Sequence, residues 1–323
     1  MHRELIRSKL FEQEPVYQAI KAGDVASVQY SGYRDKEWGI NDANYLNRMC
    51  MAYYLLYAEI DDEDLVAYLF GEELKDRKTN SFQGIGNTLN VLTVLLRKYN
   101  ADGKYDLLFD EAKNANFDCA CGYDRTVQMD SDIKSLTLLE GIYLSQDLCY
   151  KDVMEQLVGK WKDGISEWNH SNRAMLIRFN SFLGKEQENE EIYKILLEEA
   201  MAAGKAFNIV STYNDVIQYY IGSRQFEIAE THFCKMIETV DFSDVERFRL
   251  FGDVLEECCD LIDNDVKSAA NIWKWAKPHL KKKTTMYGNL YTKAISAAEK
   301  MGDPYRSQLE DEYLAWKEKV KIK

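Results

Sequence analysis

The stretch Tyr213–Met236, YNDVIQYYIGSRQFEIAETHFCKM, decides the fold. Tyr213, Val216 and Tyr220 recur at steps of three and four, so they share one face of a helix. Gly222-Ser223-Arg224-Gln225 interrupts that period with turn-forming residues. Phe226, Ala229, Phe233 and Met236 then restore it at steps of three, four and three. Two amphipathic helices with a tight turn between them form a helix hairpin. The small Ala229 lies where the two helices must cross closely.

Large residues on a first helix, an aromatic opening the second, then a small residue and another aromatic: this order resembles the tetratricopeptide repeat. Ile217 departs from it, standing where the family has Gly or Ala. The frame extends in both directions. Forward, Phe251, Val254, Leu255 and Cys258 lead to Val266, Ala269, Trp273 and Ala276. Next, Tyr291, Ala294 and Ala298 lead through Gly302-Asp303-Pro304 to Leu309, Tyr313 and Trp316. Backward, Leu176, Phe179 and Leu183 lead to Ile192, Leu196 and Glu199. Earlier, Leu139, Ile142 and Tyr143 lead to Tyr150, Val153 and Leu157. Equivalent positions fall at Ala67, Leu108, Val153, Ile192, Ala229, Ala269 and Leu309, separated by 41, 45, 39, 37, 40 and 40 residues. A period near 40 marks a helical array, somewhat longer than the family's roughly 34. The resemblance implies an all-α, right-handed solenoid of seven to eight helix pairs. Residues 1–40 are expected to form N-terminal capping helices and 41–323 the array, best matched over 131–280.

Composition agrees with this reading. The 323 residues hold three prolines, few enough for long helices, and Val and Ile nowhere alternate as a strand requires. The 21 tyrosines can pack between helices while keeping a polar tip at a groove. A net charge of -13 disfavours nucleic-acid binding. The one dense basic run, Lys281-Lys282-Lys283, is expected just after a helix end, where cations suit the helix dipole. No stretch approaches the ~18 apolar residues of a membrane span. Residues Met1–Leu10 carry charge throughout and lack a signal-peptide core, and seven cysteines form no disulfide framework, so a cytoplasmic setting is expected.

Candidate chemistry is sparse. Cys119 and Cys121 offer two thiols where a structural zinc needs four ligands, and no second pair follows at workable spacing. Cys149 and His170 could complete such a site only through the tertiary fold. His232 and Cys234 point apart on a helix. Cys234 and the Cys258-Cys259 pair read as small buried residues. No serine stands in a nucleophile elbow. Paired carboxylates such as Glu190-Glu191 and Glu256-Glu257 suit exposed helix faces. Gly84-Ile85-Gly86 lacks the strand and lysine of a phosphate loop, so a helix start near Asn87 or Thr88 is expected. Trp273 falls on the core face; Trp275, two residues on, is expected to be partly exposed, packing between helices or, as the alternative, serving as a binding anchor. No catalytic residue, metal or cofactor is predicted. Two segments break the period, Glu72–Gly86 and Asn114–Ser131, and are expected to be loop insertions, either on the binding face or as ordinary long loops.

In the tetratricopeptide family the first helices of the pairs line a concave groove that holds a protein or peptide. Carried onto this frame, the groove residues are Thr93, Arg97, Ile177, Ser181, Asn214, Gln218, Arg249 and Glu256. The function so implied is a scaffold or regulator that binds a protein or peptide. An immunity protein neutralising a basic toxin is the alternative, because acidity would steer such a partner. An enzyme or an RNA-binding repeat protein is a further alternative.

Overall fold

The computed structural model describes residues 2–36, 39–81, 84–283 and 286–321. Helices dominate the described chain, which packs as two compact units, 1–168 and 169–323.

The first unit opens with α1 (His2–Phe11) and α2 (Glu14–Lys21). A short antiparallel hairpin follows, β1 (Gly32–Asp35) on β2 (Gly39–Asp42), with Gly32 opposite Asp42 and Asp35 opposite Gly39. The sequence suggested no strand and expected capping helices throughout 1–40. These strands are four residues each and mostly exposed, too short and polar to show alternation. Then come α3 (Tyr45–Tyr57), α4 (Glu63–Thr79), α5 (Asn87–Arg97), α6 (Asp106–Lys113), α7 (Phe117–Gly122), α8 (Leu138–Asp147) and α9 (Lys151–Asp163). Helix α3 packs against α1, α4 and α5, and α1 also packs on α8. A Cβ at Gly141 would lie 2.8 Å from the Ile6 side chain, so glycine sets how closely α1 approaches α8.

Residues 72–79, expected in a loop, are the last turns of α4, with Glu72, Glu73, Asp76 and Arg77 buried. The cause is a paired network rather than apolar periodicity. Arg48 on α3 is fully buried and lies 2.7 Å from Asp42 and 2.9 Å from Glu73. Arg77 lies 3.1 Å from Glu73 and also pairs with Asp76. Asp42 accepts the Ser31 and Asn44 amides, and Glu72 accepts the Tyr30 amide, so the network anchors the hairpin to the helices. Of the rest of that segment, Phe82 and Gln83 lie outside the described residues. Helix α5 begins at Asn87, as expected, after Gly86 at φ 75°. Residues 114–131 hold the short helix α7 as well as loop.

The second unit comprises α10 (His170–Leu183), α11 (Asn189–Ala203), α12 (Ala206–Gly222), α13 (Phe226–Thr239), α14 (Leu250–Asp263), α15 (Ala269–Lys282), α16 (Gly288–Lys300) and α17 (Tyr305–Lys321). Helix α12 packs on α13, α14 on α15 and α16 on α17, while α14 also contacts α12 and α16. Tyr213, Val216, Tyr220, Ala229, Phe233 and Met236 all enter the core, as the opening stretch predicted. So do Trp273, Cys258 and Cys259, whereas Trp275 is half-buried among Phe233, Phe242, Phe251 and His279.

Other positions of the frame are displaced. Tyr143 is 39% exposed, so it leaves the core face assigned to it. On α11 the buried residues are Asn189, Tyr193, Leu196 and Ala200, with Ile192 half-buried. Helix α15 continues through Pro278, which lacks one amide donor, so Lys281 and Lys282 lie in its last turn rather than beyond it.

One turn geometry recurs. Left-handed residues stand between α3 and α4 (Glu59), α5 and α6 (Gly103), α8 and α9 (Cys149), α10 and α11 (Gly184), α12 and α13 (Arg224), α14 and α15 (Asp265), and α16 and α17 (Gly302). After several of them the next amide reaches back five residues, as in Tyr150 to Ser145, Lys185 to Asn180, Gln225 to Tyr220 and Asp303 to Ala298. This closes the helix with a satisfied carbonyl.

Candidate binding surfaces

The eight residues predicted for a groove scatter. Thr93 is fully buried; its hydroxyl donates to the Leu89 carbonyl at 2.7 Å and lies 3.0 Å from the Tyr123 hydroxyl. Arg97 donates to the Arg125 and Val127 carbonyls at 3.0 and 2.8 Å, fastening the loop after α7. Ile177 packs on the core of the second unit. Ser181 is exposed, but its hydroxyl donates to the Ile177 carbonyl. Arg249 lies before α14 in a separate cleft. An error of one residue rotates a helical position by about 100°, enough to turn a groove position inward.

Two of the eight do lie at neighbouring seams. Helices α12, α14 and α16 lie side by side; Gln218 of α12 stands near Glu257 of α14 and Glu256 of α14 meets α16, while Asn214 is buried on α12. The α14–α16 seam is laced with polar bonds. Lys293 lies 3.1 Å from Glu256 and 2.8 Å from Asp260, Asn289 donates to Glu256, and Ser296 donates to Asp263 at 3.0 Å.

The α12–α14 seam is different. Glu257 is only 2% exposed, and neither carboxylate oxygen has a hydrogen-bond partner among the described residues. Burial first, then the neighbouring Asp260, Asp215 and Asp253, push its carboxyl well above the ordinary range, with Gln218 pulling the other way. Asp215 is raised as well, chiefly by burial and against the pull of His170. Asp215 also borders a cleft of about 340 Å³ between α10, α11 and α12.

The first unit carries a surface that the sequence reading missed. A cleft of about 550 Å³ is lined by Tyr53 and Tyr57 of α3, Tyr143 and Asp147 of α8, and Asp130 and Glu140. Among the described residues no Lys, Arg or His lines it. The Tyr53 and Tyr57 rings stack at 6.1 Å. Burial and then Asp130 and Glu140 push the Tyr57 hydroxyl up to about 12. Each carboxylate is locally held. Glu140 closes a capping box with Thr137, Asn87 donates to Asp147, and Asp130 accepts the Asp132 amide. These bonds fix the carboxylates in place while leaving their charge in the cleft. Only the excess of tyrosine and acid in the composition pointed this way; the residues come from segments far apart in sequence.

Among the described residues no group of three or more His, Cys, Asp or Glu is placed to hold a metal ion. Cys119 is buried and Cys121 exposed. No helix among the described residues is long and apolar enough to cross a membrane. Comparison with protein-family models, curated proteins and solved structures finds no match to the chain.

Proposed function

We propose that the protein is a helical-repeat binding module of tetratricopeptide type, a right-handed solenoid of seven to eight helix pairs that holds a basic polypeptide. It would work in the cytoplasm as a scaffold or regulator. The left-handed residues within the helix pairs support the repeat: from Glu59 to Gly302 they are separated by 44, 46, 35, 40, 41 and 37 residues, close to the period of the sequence, while Gly204 stands between α11 and α12 outside this series. The observation that carries the partner's chemistry is the first unit's cleft, three tyrosines and three carboxylates with, among the described residues, no basic residue in its lining. Tyrosine supplies broad contact area with little rotamer freedom to lose, and fixed carboxylates select Lys and Arg. A toxin-neutralising immunity protein is the second reading, favoured by the same cleft, since strong negative charge speeds capture of a basic toxin.

The test is affinity capture from native lysate at low and high salt, with wild type and an Asp130→Lys/Tyr143→Ala variant in parallel. A basic partner held by wild type, released by salt and lost by the folded variant is expected. A partner retained by the variant would move the site elsewhere, and the absence of any protein partner would reject the reading. A captured toxin whose activity the protein suppresses would select the second reading.

A further inference from the structure

Against the acidity of the chain, one cleft of the second unit is basic. It measures about 390 Å³ and is formed by the segment before α14, the end of α15 and the start of α16. Arg247, Arg249, Lys282 and Lys283 line it. Among the described residues none of these four cations lies in an ion pair. The lining's one carboxylate, Glu246, sits 2.9 Å from His279 Nδ1. Beyond the lining, Asp253 accepts the Tyr287 hydroxyl at 3.2 Å, and Glu256 also stands near that hydroxyl. Like charges gathered without counter-ions repel one another, and an anion relieves that repulsion.

The remaining walls are aromatic. Phe248 is 40% exposed, with Arg247 5.0 Å from its ring centroid. Phe251 and Tyr287 also line it, Lys283 lying 5.6 Å from the Phe251 ring. Burial lowers the Lys283 ammonium from its usual range despite Asp253, consistent with a partly dehydrated cation short of negative charge. In sequence the run Lys281–Lys283 suits helix-end charge. The fold instead sets two of its members beside two arginines that lie more than thirty residues earlier in the chain.

We propose that this cleft binds a small phosphate monoester that carries a flat aromatic ring, a ligand of the nucleoside monophosphate class. The phosphate meets Arg249, Lys282 and Lys283, and the ring lies against Phe248 and Tyr287. Guanidinium and ammonium groups supply charge-assisted bonds to phosphate oxygens, and aromatic faces supply stacking. A volume of about 390 Å³ falls within the range of small-ligand sites. This site is independent of the acidic cleft of the first unit.

Isothermal titration of the full chain with AMP, adenosine and inorganic phosphate tests it. AMP should bind at least tenfold more tightly than either fragment, and less tightly as salt rises. Arg249→Ala/Lys283→Ala should weaken AMP tenfold or more, and Phe248→Ala should weaken AMP but leave inorganic phosphate unchanged. Lys194→Ala, an exposed lysine paired with Glu191, should change nothing. Circular dichroism confirms that each variant is folded; if the double variant is not, exposed Lys282→Ala with a threefold or greater loss replaces it. No AMP binding in the millimolar range, adenosine or phosphate binding as tightly as AMP, or AMP binding unaffected by the variants would each overturn the proposal.

Discussion

Replacing Arg48 by methionine should loosen the first unit by about 3–5 kcal/mol, the cost of breaking a buried ion pair from one side. The guanidinium has no exposed surface and stands between Asp42, Glu73 and Asp76 at 2.7, 2.9 and 3.9 Å. Methionine fills much of the volume but leaves three buried carboxylates with Arg77 as the remaining cation of the network. Asp42 suffers most, because Glu73 and Asp76 keep Arg77. Asp42→Asn added to Arg48→Met should therefore recover part of the loss, a coupling readable in a double-mutant cycle. The pH dependence has a definite sign. Burial already raises the Glu73 carboxyl above its ordinary range. Without Arg48 the Glu73 carboxyl rises further above its unfolded value, so folding holds at low pH and weakens as pH rises through the folded value. The variant should thus lose more at pH 8 than at pH 5. Native-state hydrogen exchange of the α3 and α4 amides is the assay, and the expected change is roughly a hundredfold or more in opening. A loss under about 1 kcal/mol, or one independent of pH, would refute the claim that these charges hold each other in place.

The second unit offers two further tests. Glu257 has a raised carboxyl, so its contribution is fully present below the unfolded value near 4.5 and is lost as pH rises through the folded value. Glu257→Gln should match wild type in acid and exceed it increasingly above pH 5, by up to about 1.4 kcal/mol per pH unit until the folded value is reached; parallel urea titrations across pH would expose a flat difference and sink the idea. Arg224 sits exposed in a left-handed turn at φ 58°, a conformation costly to a residue with a Cβ. Arg224→Gly should stabilise by about 0.5–1 kcal/mol and raise the melting temperature by roughly 1–3 °C; a lower melting temperature would show that the arginine side chain matters more than the backbone.

The helical class and the core of the best-patterned segments were legible in the residue pattern. The steps of three and four from Tyr213 to Met236 report burial directly, because a helix presents one face to its neighbours. The same rule failed where burial does not follow apolarity. Arg48, Glu73, Asp76 and Arg77 look like a solvated surface in sequence, yet they are interior, since opposite charges from α3, α4 and the β-hairpin neutralise one another there. The candidate surfaces depend on how distant helices pack. Tyr53, Asp130 and Asp147 meet across nearly a hundred residues, and Arg249 meets Lys283 across more than thirty. Periodicity records which side of a helix faces inward; which outward-facing residues of distant helices become neighbours depends on how the helices pack, and no local pattern carries that information.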